Sequence, residues 1–361
     1  MEMTDFRLLL SGHDTIECAY CLAPDSVCLL DYERLAVEKE ELRLSKSRKP
    51  KPIKLGNEEF LLAGHGTRSG YPFLIENEAF SIQFGEFNKP NFYVVFRSIA
   101  LWHSGAQGLH QRFLAWAASV GLRPFLPEKL SRVDFTFDYH LPVIDFDEDN
   151  FVSSFAKDNQ HRKNGKVQTF RLGEGDLVLR VYNKPDEIQE SSAKTWFHDL
   201  WGGIEQDVWR FEWQARKQWL RLVGIKTFDD LKERQGDLLR LLVNDHTALR
   251  IKSEDSNRSR WPLHPVWQDL QERVAQMEGL GVVRELDMAG LLDERQMHIA
   301  ISLYGYMKRI AAIHCLQGGL PMVSHNDAQR HLCIMLNQIH DPLTWETDVE
   351  RRITEMRLGE W

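Results

Sequence analysis

Three segments whose polar and apolar residues alternate with a period of two constrain this chain more than any other feature. They are SRVDFTFDYH (131–140), LVLRVYNK (177–184) and VWRFEWQAR (208–216). Successive side chains of a β-strand point to opposite faces. The first segment then presents Arg132, Asp134, Thr136 and Asp138 together, the second Arg180, Tyr182 and Lys184, and the third Arg210, Glu212, Gln214 and Arg216. Behind them stand Val133, Phe135, Phe137 and Tyr139; Leu177, Leu179 and Val181; and Phe211, Trp213 and Ala215, which can pack on a core. A surface strand commonly wets a mixture of Thr, Lys, Glu and Ser. These three instead wet carboxylates, arginines and one tyrosine. Side by side in one antiparallel sheet, they form a single charged platform.

Such a platform suits phosphodiester chemistry. A free tyrosine has a pKa near 10 and is mostly phenol at neutral pH. Arg180 and Lys184, flanking Tyr182, hold a phosphate and favour the phenolate, whose oxygen attacks phosphorus. Taken alone, the same segment also reads as a half-buried strand tyrosine between two solvated cations. The other two segments tip the balance toward a site.

At 361 residues, with 43% hydrophobic residues, 11 Trp and 19 Phe, the chain can bury one large core or two moderate ones. No basic region followed by an apolar run opens the sequence, and no window approaches the roughly 20 apolar residues of a membrane span. A soluble, cytoplasmic protein with no membrane partner is expected. Five cysteines argue against a disulfide framework, and Cys18-x-x-Cys21 lacks a second ligand pair for zinc, so these cysteines read as packing residues in a strand. A net charge of −8 disfavours a protein that simply coats nucleic acid, although charge distribution matters more than the sum. The basic stretch 42–54, which includes Lys49 and Lys51, reads either as a solvated loop or as an arm on DNA phosphates.

Strands are expected near 6–10, 15–22, 59–62, 73–75, 80–84 and 91–96, and a helix over 106–120. Residues 166–184 read as a hairpin turning at 173–176, followed by a helix that opens at NKPDEIQE. Thr227 reads as an N-cap with Asp229 and Asp230 in the first turn. Beyond the polar segment 252–260, helices are expected near 265–277, 293–316, 325–338 and 343–356. The fold class is therefore α+β: a mainly antiparallel sheet with flanking helices over 1–250, then an all-helical region over 251–361 serving DNA binding, dimerisation or partner recruitment.

The ordered set SRVDFTFD, the GEGD turn with LVLRVYNKPDE, and WRFEWQAR resembles the rolling-circle replication initiation factors, a tyrosine-nucleophile family that includes plasmid initiators and conjugative relaxases. The glycine-rich GHGTRSGYPF (64–73) fits the same order, and the likeness spans roughly residues 5–245. The resemblance implies a sheet like that of the HUH endonucleases, with carboxylates instead of paired histidines at the metal. It implies that Tyr182 nicks origin DNA, single-stranded or cruciform, remaining on the 5′ phosphate and leaving a 3′ hydroxyl for a polymerase. Asp134 and Glu212 match the ligands of Mg²⁺ or Mn²⁺ best, with Asp138 also in the pattern. Four residues of strand cover about 13 Å, however, which keeps Asp134 and Asp138 off one ion unless a bulge intervenes and suits Asp138 to a cation or turn at the sheet end. Arg132, Arg210 and Arg216 are candidates for flanking phosphates, although Arg210 or Arg216 could instead simply pair with Asp138 or Glu212. A homodimer and a host helicase are further expected partners. Two other readings stand beside this one: a non-catalytic DNA-binding regulator on the same fold, and a water-using metal-dependent nuclease.

Overall fold

In the computed structural model, residues 6–45, 49–155, 158–163, 166–279, 288–319 and 321–357 are described. In chain order the strands and helices begin with β1 (Arg7–Tyr20), β2 (Leu22–Pro24), α1 (Tyr32–Leu44), β3 (Lys51–Leu55), β4 (Glu58–Leu62), β5 (Phe73–Glu76), β6 (Phe80–Phe84), β7 (Phe92–Phe96), α2 (Ser98–Ser119) and β8 (Leu122–Pro124). They continue with β9 (Lys129–His140), β10 (Phe151–Ser153), β11 (Asp158–Lys163), β12 (Lys166–Leu172), β13 (Leu177–Asn183), α3 (Lys184–Glu187), α4 (Phe197–Leu200), β14 (Val208–Arg216), α5 (Lys217–Leu222), α6 (Phe228–Arg240) and β15 (Thr247–Leu249). The helices α7 (Pro265–Ala275), α8 (Met288–Gly318), α9 (His325–Ile339) and α10 (Trp345–Arg357) complete the chain.

Eleven strands form one antiparallel sheet in the order β11-β12-β13-β14-β9-β1-β7-β6-β5-β4-β3, so the fold is α+β with a large antiparallel sheet. The three alternating segments are its neighbours β13, β14 and β9. Their apolar faces, including Val133, Phe135, Leu179, Val181, Phe211 and Trp213, lie in the main core, where Trp267 of α7 meets the rings of Phe211 and Trp213. The hairpin turn before β13 uses Gly173 and Gly175 at φ 85° and 70°, a region closed to most side chains. Thr227 and Asp230 form a reciprocal capping box at the start of α6.

Two departures from expectation matter for the site. The stretch expected to hold one or two strands forms the single long strand β1, and a β-bulge at Asp14 reverses which side chains face which way. Before it, Leu10 packs in a small cluster with Phe197 and Trp201 above the platform; after it, Ile16 and Cys18 enter the main core. Helix α2 starts earlier than expected, at Ser98, and breaks at Gly105 (φ 69°). Its second half buries Leu109, Phe113 and Trp116, while Trp102 in the first half packs against the small cluster. Helix α1 was not legible: among its residues only Leu35 is buried, so it carries no apolar stripe.

Contacts divide the chain at 286/287 instead of 250/251. The reason is α7, which buries Val266, Trp267, Leu270 and Val274 in the core of the first unit. Residues 287–361 form the second unit, with α8, α9 and α10. Among the described residues no helix is long and apolar enough to cross a membrane.

Candidate active site

Adjacent strands set the platform's register. Arg180 lies opposite Glu212, Tyr182 opposite Arg210, and Arg210 opposite Asp138, while Asp134 faces Gln214 on one side and Thr15 on the other. A cavity of about 300 Å³ opens above them, lined by Asp14, Arg132, Asp134, Arg180, Tyr182 and Glu212, with Lys184, Glu187 and Lys194 from the segment after β13.

The Tyr182 hydroxyl donates to one oxygen of Glu212 at 2.7 Å, and Arg180 donates to the other. Arg132 donates to both oxygens of Asp134, at 2.8 and 2.6 Å, and reaches Glu17 at 3.0 Å. Deeper in the platform, Arg210 donates to both oxygens of Asp138 (2.6 and 2.8 Å) and to Asp14 (2.9 Å). Asp14 also accepts from Ser98 at 2.8 Å and from Lys194 at 3.1 Å.

The chain after β13 closes over this surface. Asn183 caps the single turn of α3, Pro185 occupies its start, and a wide turn over Ile188–Ser192 follows. Ala193 then takes a left-handed conformation (φ 53°), from which Lys194 reaches Asp14. The helix expected at NKPDEIQE is thus one turn and a reversal. Lys184 belongs to that turn, not to the strand. Its side chain is buried, pairs with Glu187 and lies 5.6 Å from the Tyr182 ring centre.

Several expected roles change. Arg210 is wholly buried and engaged by Asp14 and Asp138, the second being the pairing offered as its alternative, so it does not reach a phosphate of DNA. Asp138 gives both oxygens to Arg210 and one also to the Trp201 indole at 2.9 Å. That removes it as a metal ligand and leaves it the sheet-end cation partner that strand geometry suggested. Lys51 sits on β3, at the sheet edge eight strand-steps from β13, and pairs with Glu38; Lys49 lies just before it in the chain. Neither lines the cavity. Within 42–54, residues 46–48 lie outside the described residues. Arg132 lines the cavity; Arg216 lies opposite it in register at the end of β14 and is partly exposed.

The charge environment also runs against the expected activation of the tyrosine. Burial, followed by the Glu212 charge, pushes the Tyr182 phenol well above its ordinary range, with Arg210 only partly opposing. Burial and then Arg210 make the Lys184 ammonium more acidic than usual, against the pull of Asp14 and Glu187. Burial alone would raise the Asp14 carboxyl, but Arg210, Lys194, Lys184 and the Ser98 hydroxyl together hold it well below the carboxylate range.

Asp134 moves the other way. Burial raises it from 3.8 to about 6, Arg132 opposes and the Glu212 charge adds. Between those two values the folded chain keeps a proton that the unfolded chain has released, so stability falls as pH rises through that window. Denaturant midpoints taken in EDTA at about pH 4.5 and about pH 7 should therefore drop more steeply in the wild type than in Asp134→Asn. Parallel pH profiles for the two would refute the assignment.

Among the described residues no cluster of three or more His, Cys, Asp or Glu side chains is arranged as a metal site. Asp134 and Glu212 do open onto one cavity, and the Glu212 charge raises the Asp134 carboxyl. Two carboxylates of this kind fit a hard cation that keeps most of its water and takes further oxygens from a phosphate.

Sequence reasoning missed Asp14, Glu17, Glu187 and Lys194. Only Asp14 left a signal, as the charged residue in an otherwise apolar even-numbered series from Leu8 to Tyr20. No protein-family model and no curated protein matches the sequence. Among solved structures, one described as the rolling circle replication initiator protein from Geobacillus stearothermophilus is similar at a TM-score of 0.44 and 18% identity, over 78% of this chain and 100% of that one.

Proposed function

We propose that this protein nicks single-stranded DNA by attack of Tyr182 on a phosphodiester, the chemistry of a rolling-circle initiator or relaxase acting at an origin. The observation that carries the reading is the Tyr182 hydroxyl held on a carboxylate inside a cavity lined by Arg132, Arg180, Lys184 and Lys194. The ordered strand motifs support it independently.

In this reading the phenol proton passes to Glu212 as the phenol oxygen bonds to phosphorus. The bond from phosphorus to the 3′ oxygen breaks, and that oxygen takes a proton from the acidified Lys184 ammonium. The products are a 5′-phosphotyrosine and a free 3′ hydroxyl. Arg180 and Arg132 turn from their carboxylates to the phosphoryl oxygens, where charge develops. Asp134 and Glu212 are the residues that would hold Mg²⁺ or Mn²⁺. Such an ion supplies Lewis-acid polarisation of the phosphate.

The test is incubation with labelled single-stranded and cruciform oligonucleotides carrying candidate origins, with Mg²⁺ or Mn²⁺. A denaturation-resistant protein–DNA adduct is expected. Cleavage without an adduct favours the water-using nuclease, a reading the burial of Tyr182 at 9% exposure also suits. Binding with no cleavage favours the regulator.

A further inference from the structure

We infer that a cavity at the turn end of β13 binds a planar organic cation, the guanidinium of an arginine side chain or of free arginine. The cavity measures about 280 Å³ and shares no lining residue with the one above Tyr182. Leu177, which lines it, stands five residues before Tyr182 on β13, about 17 Å along the strand. Three rings wall it: Phe155 just after β10, Trp219 on α5, and His246 at the end of the turn that leads into β15. Phe155 and Trp219 both meet the His246 ring steeply, at 70° and 85°, with ring centres 4.3 and 5.1 Å away. Gly173 fixes this corner. A Cβ there would fall 2.2 Å from the Phe155 ring, and its φ of 85° admits few side chains.

The polar groups point to the charge of the occupant. Among the described residues, the Asp176 carboxylate and the Gln218 side-chain amide line the cavity without a hydrogen-bond or ion-pair partner. His246 meets the Thr247 hydroxyl through Nδ1 at 3.1 Å, which leaves Nε2 unused. Burial lowers the His246 ring below its ordinary pKa, so at neutral pH it is an uncharged wall. A carboxylate half withdrawn from water favours a cation beside it, and ring faces attract the same charge. A guanidinium suits both features, because it is flat enough to lie on Trp219 and carries donors along its edge for Asp176 and Gln218. A nucleobase fits less well. Stacking asks for parallel faces, whereas these walls stand nearly perpendicular, and Asp176 repels the phosphates on either side.

The test follows the Trp219 indole N–H by ¹H–¹⁵N NMR of the full chain, with its resonance assigned by its loss in Trp219→Phe. The ligands are N-acetyl-arginine amide, which mimics arginine within a chain, free arginine, and the neutral isostere N-acetyl-citrulline amide. The arginine compounds should shift the resonance and the citrulline compound should not. Whichever arginine compound binds tighter identifies the source, a protein side chain or the free molecule. Asp176→Asn should weaken binding by at least about tenfold, the loss of one charge-assisted hydrogen bond, with the other indole resonances unmoved. If those resonances move, Gln218→Leu takes its place and should weaken binding a fewfold. The assignment is overturned if neither arginine compound shifts Trp219 up to its solubility limit, or if the citrulline compound shifts it equally. Undiminished binding in both variants overturns it too, as does a shift produced by mononucleotides in place of arginine.

Discussion

Tyr182→Phe is expected to abolish the proposed covalent protein–DNA adduct and to lower nicking by at least about a thousandfold, the scale on which loss of a nucleophile is felt. The change removes one hydroxyl. Glu212 keeps its bond from Arg180, and the ring keeps its place beside Lys184. The stability cost is correspondingly small, about 1.5–3 kcal/mol for one hydrogen bond to a charged acceptor. Affinity for the oligonucleotide should stay within a fewfold, because no cation is lost. Denaturing gels of labelled DNA, with affinities measured in parallel, separate these effects. A Phe variant that still forms the adduct assigns the nucleophile elsewhere. One that cleaves at the wild-type rate without an adduct makes Tyr182 a packing residue.

Arg210→Ala should cost about 3–5 kcal/mol of stability, the penalty for leaving buried charge without its partner. Arg210 has no exposed surface, and its removal strands Asp138, which is equally buried, and strips Asp14 of its nearest cation. Urea denaturation measures the loss. Asp138→Ala should cost a similar amount by stranding Arg210. The double change Arg210→Met with Asp138→Leu should recover much of it, because an apolar pair of similar volume carries no desolvation cost. A loss below about 1 kcal/mol for Arg210→Ala would place the pair in water rather than in the core.

The sheet and its platform were legible because both faces of β9, β13 and β14 obey the same period, and bulky apolar residues back every charged one. The four C-terminal helices were legible for the equivalent reason at helical spacing. Pairing within the platform was not. Period two places Arg210 and Arg180 on one face, but it does not say that Arg210 turns inward to Asp138 and Asp14 while Arg180 stays at the cavity. That choice depends on what covers each end of the strand. Phe197 and Trp201, from the segment after α3, roof Arg210, with the guanidinium 4.4 Å from the Phe197 ring centre. Asp14 escaped notice because a bulge is invisible to a strict alternation. Lys194 escaped because its position depends on the left-handed Ala193, which no sequence period encodes.

If the pocket takes DNA as proposed, the pairing of Arg132, Arg180, Lys184 and Lys194 with carboxylates governs how a phosphate enters. An arriving phosphate would have to displace acids that themselves stay in the pocket, so each exchange adds negative charge that a bound divalent cation would offset. Admission turns on whether the guanidiniums of Arg132 and Arg180 hold a phosphate better than the acids they already carry.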